Sequence, residues 1–144
     1  MSTALHLAVR TVHLLSMVAL VGASAVAWYA FRTPARPARA TLLRVECTFW
    51  ALLGLLLATG VGNVGSLGAP GPGTRWGGLL ATKLLVVLGV VLGSFLRTSL
   101  VLRAPGGEEL RRESEFGPVL EGSYLATTVS LLAVVVLAEV LAHG

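Results

Sequence analysis

The sequence predicts an all-α fold, a four-helix transmembrane bundle, and three observations carry that expectation. The 144 residues are 55% hydrophobic and only 12% charged, about half the roughly 25% charged content of a soluble domain. Mean hydropathy is +0.82. The apolar residues gather into four continuous stretches, at about 4–31, 42–63, 76–96 and 119–142. Each is long enough to cross a hydrocarbon core, which takes roughly 20 residues of helix. Continuous runs do not alternate as the strands of a membrane barrel must, so helices are the spanning element. Four spans and their connections use residues 1–144 as a single membrane domain.

The first stretch, Ala4 to Phe31, contains Ala23-Ser24-Ala25, which imitates a signal-peptidase site. It lacks a basic segment before its apolar part, and the run continues through Trp28-Tyr29, so a retained first helix is expected. Pro34 and Pro37 end it. The second stretch runs from Leu42 to Asn63 and gives way to a glycine- and proline-rich segment at Gly65 to Gly73. The third runs from Trp76 to Leu96. The segment Arg103 to Gly117 then carries most of the acidic residues, and the fourth stretch runs from Val119 to Ala142. The single cysteine, Cys47, has no internal disulfide partner and is expected to face lipid or core.

Orientation follows from the basic residues. Arg32, Arg36, Arg39 and Arg44 surround the first connection and Arg97, Arg103, Arg111 and Arg112 the third, whereas the second has only Arg75. The positive-inside rule places connections one and three in the cytoplasm and both termini outside, as in a multi-pass protein of a bacterial-type inner (plasma) membrane. Topology thus accounts for eight of the eleven basic residues. The isoelectric point of about 10.2 therefore gives no reason to expect nucleic acid; the expected surroundings are the lipid bilayer.

With that orientation, polar side chains collect in one layer. His6, Arg10 and His13 occupy the outer half of helix one, and Lys83 lies about two turns into helix three. Thr59 and Asn63 lie at the outer end of helix two, and Glu139 and His143 at that of helix four. The inner half reads as nearly all Leu, Val, Ala and Gly. At 100° per residue His6, Arg10, His13 and Met17 share a face of helix one; Glu139 and His143 share one on helix four with Thr128 and Glu121. An ionisable group at mid-bilayer costs about 2.5–3.5 kcal/mol, so such groups turn toward the bundle interior and one another. The expectation is one polar site open to the outside. Each member also has a structural reading: His6, Arg10 and His143 snorkel to the interface, Met17 packs, and Lys83 and Glu139 pair to fix helix register. His13 is too deep to snorkel. The glycines, among them Gly54, Gly60, Gly62, Gly89 and Gly93, allow close helix packing or leave room for a flat cofactor.

Imidazoles with a thioether and a carboxylate suit copper or zinc, and His13 and Met17 have the i, i+4 spacing that lets one face chelate an ion. A b-type haem instead wants imidazoles from two helices, His13 or His6 facing His143. There is no CxxCH, no HExxH and no methionine-rich track.

Three passages resemble the CopD family of copper-resistance membrane proteins and, more distantly, the four-helix HemJ-type protoporphyrinogen oxidases. The first is Val12-His13-Leu14-Leu15 with Val21-Gly22-Ala23. The second is Leu43-Arg44 followed by Leu57-Ala58-Thr59-Gly60. The third is Trp76-Gly77-Gly78 through Thr82-Lys83-Leu84-Leu85 to Arg97. Together they span roughly residues 10 to 100, with Leu20-Val21 where the family has a tryptophan before its first-helix glycine. By position the family's membrane histidine becomes His13 and its membrane lysine Lys83. The CopD likeness implies movement of copper across the inner membrane, often with a periplasmic copper-binding partner; the HemJ likeness implies haem b and a redox partner. Full-length CopD proteins are longer than this chain, which implies a possible homodimer.

The expected function is copper binding or transport at a site made by His13, His6, His143 and Met17, with Lys83, Glu139, Arg10, Asn63 and Thr59 tuning pocket charge and polarity. One alternative is a b-haem protein for electron transfer or porphyrinogen oxidation, with His13 axial and Lys83 near a propionate or the substrate. The other is an accessory subunit whose polar layer is structural.

Overall fold

The computed structural model describes residues 3–34, 37–67, 71, 73–104 and 116–143, with side chains for all of these except 62–67, 142 and 143. The described chain is four helices: α1 (Thr3–Phe31), α2 (Arg39–Leu67), α3 (Arg75–Arg103) and α4 (Phe116–His143). α1 keeps its expected bounds to within a residue, α2 and α4 run up to four residues further, and α3 continues seven residues past Leu96. At 1.5 Å per residue these helices are about 42–44 Å long, so each outreaches a hydrocarbon core of about 30 Å. All four are apolar enough to span a membrane.

Alternating helix direction brings the Phe31, Arg39, Arg103 and Phe116 ends together, at what is termed the arginine end of the bundle. The opposite end carries Thr3, Leu67, Arg75 and His143. Within the bundle α1 packs along α2 and α4, and α4 along α3, while α2 and α3 form the loosest seam. The core divides by depth. Ala27, Phe31, Leu42, Val101, Leu120 and Tyr124 fill it near the arginine end; Met17, Leu20, Phe49, Leu53, Leu131 and Val134 fill the middle. Outward-facing Val18, Val26, Leu85, Leu96 and Val136 are each more than 60% exposed. In water such surface would aggregate; in a bilayer it is the lipid contact.

Two end structures position the long helices. Thr74 caps α3: its Oγ1 accepts from the Gly77 amide at 3.0 Å, satisfying one of the helix's unpaired N–H groups. A Cβ on Gly77 would come within 2.6 Å of the Gly71 carbonyl oxygen, so this turn admits only glycine. At the other end of α3, Arg39 donates from Nε to the Val101 carbonyl (3.3 Å) and from Nη2 to that of Leu102 (2.8 Å). These carbonyls belong to the last turn and lack helical donors.

The glycine expectation needs correction. A Cβ at Gly54, Gly89 or Gly93 would meet open space, so none of these is a point of close helix contact within the bundle. Gly60 alone of that group lies against a neighbouring side chain, the His13 ring; Gly62 lies outside the described side chains.

Candidate functional site

The His13 end and the arginine end each hold a polar cluster, and the two are built differently. On α1, His13 is half-buried and faces α2, where its Nδ1 lies 2.8 Å from Thr59 Oγ1. The Thr59 hydroxyl already has a place for its proton, since its Oγ1 donates to the Leu55 carbonyl at 2.8 Å, with that of Leu56 at 3.2 Å. A hydroxyl carries one proton and two acceptor lone pairs. The arrangement that satisfies both contacts has the His13 Nδ1–H donating to Thr59. In that tautomer the Nε2 lone pair is unprotonated. A ring held in this way by its other nitrogen is the arrangement found in metal-ligating histidines.

Beside the ring stands Gly60, where an added Cβ would lie 3.5 Å from His13 Cε1. Gly60 is also one wall of a cavity of about 420 Å³ in the α2–α3 seam, lined by Leu57, Val61, Leu80, Lys83 and Leu84. That volume is in the range of small-molecule sites. Leu57, Val61 and Leu84 are 43%, 75% and 58% exposed, so the cavity is a groove opening sideways from the bundle. Lys83 is its only charged wall, and among the described residues its Nζ has no hydrogen-bond or ion-pair partner.

The expected site residues therefore separate. His13 and Thr59 are brought together, and Gly60 links them to Lys83. Met17 is buried in the mid-bundle core with Leu20 and Leu53. His6 and Arg10 are exposed near the start of α1, and Glu139 is exposed on α4. The side chains of Asn63 and His143 lie outside the described residues. Among the described residues no three of His, Cys, Asp or Glu converge on one point. Cys47 is exposed.

The arginine end of the bundle overturns the expectation that this half is nearly all apolar. Glu46 on α2 and Arg97 on α3 form a bidentate ion pair, Nε to Oε1 at 2.8 Å and Nη2 to Oε2 at 3.3 Å, with both side chains at most 2% exposed. Tyr124 on α4 donates its hydroxyl to Glu46 Oε1 at 2.7 Å, and Arg97 Nη1 donates to Thr127 Oγ1 at 2.7 Å. Trp50 Nε1 donates to Thr98 Oγ1 at 3.0 Å, and the Thr98 hydroxyl donates to Glu46 Oε2. The guanidinium lies 4.5 Å from the centroids of both the Phe49 and the Tyr124 rings. Buried charges persist only where paired and hydrogen-bonded; here every oxygen of the carboxylate has at least two donors. We call this cluster the clasp.

Arg97 is thus not a loop residue of the third connection but a neutralised core group, and it drops out of the topology count. Arg32, by contrast, stays exposed at the arginine end. Its Nε contacts Glu121 Oε1 at 3.2 Å, and its guanidinium lies 5.1 Å from the Trp28 ring. Glu121 lies at the arginine end, five turns along α4 from Glu139, and pairs there with Arg32. Thr128 donates to the Tyr124 carbonyl at 2.9 Å, inside its own helix. A signal for the clasp was present: Glu46 is the only acidic residue before Glu108 and lies inside an apolar run, level with Arg97 across the seam.

Comparison with family models, with curated proteins and with solved structures found no match to this chain. Its four apolar spans make it a multi-pass membrane protein.

Proposed function

We propose that the chain is a copper-handling protein of a bacterial-type plasma membrane, binding the ion as cargo at His13 in the outer half of the bundle. The observation that supports this most is the 2.8 Å contact between His13 Nδ1 and Thr59 Oγ1. Thr59 holds the Nδ1 proton, so the Nε2 lone pair is free for a soft metal at a depth where water is scarce. Termini outside and arginine end inside remain the favoured orientation: Arg36, Arg39, Arg44 and Arg103 outweigh Arg75 with Arg97 set aside.

The second reading is a b-type haem, favoured by the groove. Its apolar walls and volume of about 420 Å³ fit a flat apolar ligand. Lys83 would supply an acid group's counter-charge and the haem one-electron transfer, with His13 behind the Gly60 wall.

One preparation tests both. The detergent-purified chain is analysed for copper after reduction, and its visible spectrum is recorded oxidised and dithionite-reduced. Copper near stoichiometric in the wild type and absent from a folded His13→Ala variant is the expected result. Equal copper in the two proteins overturns the assignment, and a Soret band with sharp α and β bands on reduction replaces copper by haem.

A further inference from the structure

We infer that the α2–α3 groove is a binding site for an anionic phospholipid, with its phosphate on the Lys83 ammonium and an acyl chain along Leu57, Val61, Leu80 and Leu84. Three observations converge. The groove opens sideways, through residues that are among the most exposed apolar side chains of α2 and α3, so its ready occupant comes from the lipid phase. It carries one cation and no acid: Lys83 is the chain's single lysine, and among the described residues no carboxylate pairs with it. The third observation is depth. α3 has 29 residues, about 43 Å at 1.5 Å per residue, so when centred on a 30 Å hydrocarbon core it begins roughly 7 Å outside. Lys83 lies eight residues in, about 12 Å along, hence about 5 Å below the hydrocarbon boundary. A lysine's four-carbon stem covers that distance, bringing the ammonium to the hydrocarbon boundary, within reach of a lipid headgroup, while the stem lines the groove.

The charge explains why an anionic lipid is preferred to a zwitterionic one: a basic residue near the surface is worth about fivefold in affinity for anionic lipid. The apolar walls separate this site from general attraction to a basic protein. A chain held in the groove must leave when the groove is filled, even with every charge intact. The seam is also where such an occupant is structurally useful. The clasp ties α2 to α3 near the arginine end, and across the rest of the seam their approach is loose.

The full-length chain, stripped of lipid in detergent, is titrated with dioleoyl phosphatidylglycerol or dioleoyl phosphatidylcholine, and retained lipid is counted by native mass spectrometry. The expected result is one phosphatidylglycerol held about fivefold more strongly than phosphatidylcholine. Lys83→Gln and the groove-filling Leu84→Trp should each lose that preference, and Lys83→Arg should keep it; helical circular dichroism confirms that the variants fold. Equal binding of the two lipids overturns the proposal, as does a preference that survives either Lys83→Gln or Leu84→Trp. A lipid-free dimer assigns the groove to a second copy, and a Soret band assigns it to a porphyrin; each would overturn it. The readout involves no copper, so it fails or succeeds independently of the copper reading.

Discussion

The two ends of this bundle hold polar groups of similar cost and satisfy them to opposite degrees. In the clasp, Glu46 receives donors from Arg97, Thr98 and Tyr124, and Arg97 is further held by Thr127 and two aromatic rings. Little valence is left to offer a ligand. At the His13 end, the imidazole makes one bond that fixes it and presents a second nitrogen, and Lys83 faces a groove without a counter-ion among the described residues. A saturated network fixes helix positions; an unsaturated one is where a ligand supplies the missing contacts.

Five variants break or sharpen that contrast, and the clasp gives the largest effect. Arg97→Ala leaves Glu46 buried and unpaired, a loss of about 3–5 kcal/mol, read as unfolding in mixed micelles by circular dichroism. The double variant Glu46→Gln, Arg97→Met removes both charges and should regain most of that loss. If Arg97→Ala is as stable as the wild type, the clasp does not hold the bundle. Next, Thr59→Val frees the His13 ring. Copper affinity should fall roughly 10- to 100-fold in a competition titration while unfolding changes little; unchanged affinity would remove Thr59 from the site.

Tyr124→Phe takes one donor from Glu46 and leaves the ion pair, so a loss of about 0.5–1.5 kcal/mol is expected in the same unfolding assay. A loss as large as that of Arg97→Ala would mean the hydroxyl, not the ion pair, carries the clasp. Gly60→Ala has the smallest effect. Its added methyl meets His13 Cε1 at an ordinary 3.5 Å, and alanine is the better helix former by about 1 kcal/mol, so stability should hold or rise slightly. A marked loss would show that the ring sits tighter against α2 than this contact implies.

The spans were legible because hydrophobic runs and their Pro- and Gly-rich breaks report helices directly: all four stretches became helices over nearly the expected residues. The layer holding His13, Thr59 and Lys83 was legible too, because counting residues from each membrane face gives depth. Which members meet was not. Facing angles on single helices placed His6, Arg10, His13 and Met17 together, yet His6 and Arg10 are exposed while Met17 enters the core. Rotation of α1 against its neighbours is set by packing between helices, which no one-helix period reports. The clasp was missed for a different reason. Taken as a loop charge, Arg97 leaves the interior, and Glu46, an acid alone inside an apolar run, then lacks the buried cation it calls for.

The central claim is that function resides at the unsaturated end and structure at the saturated one. Its most direct test is copper bound per folded chain in His13→Ala beside the charge-free clasp variant, Glu46→Gln, Arg97→Met. Loss of copper in the first with retention in the second is the predicted result. Retention in the first with loss in the second would place the metal at the arginine end and contradict the account.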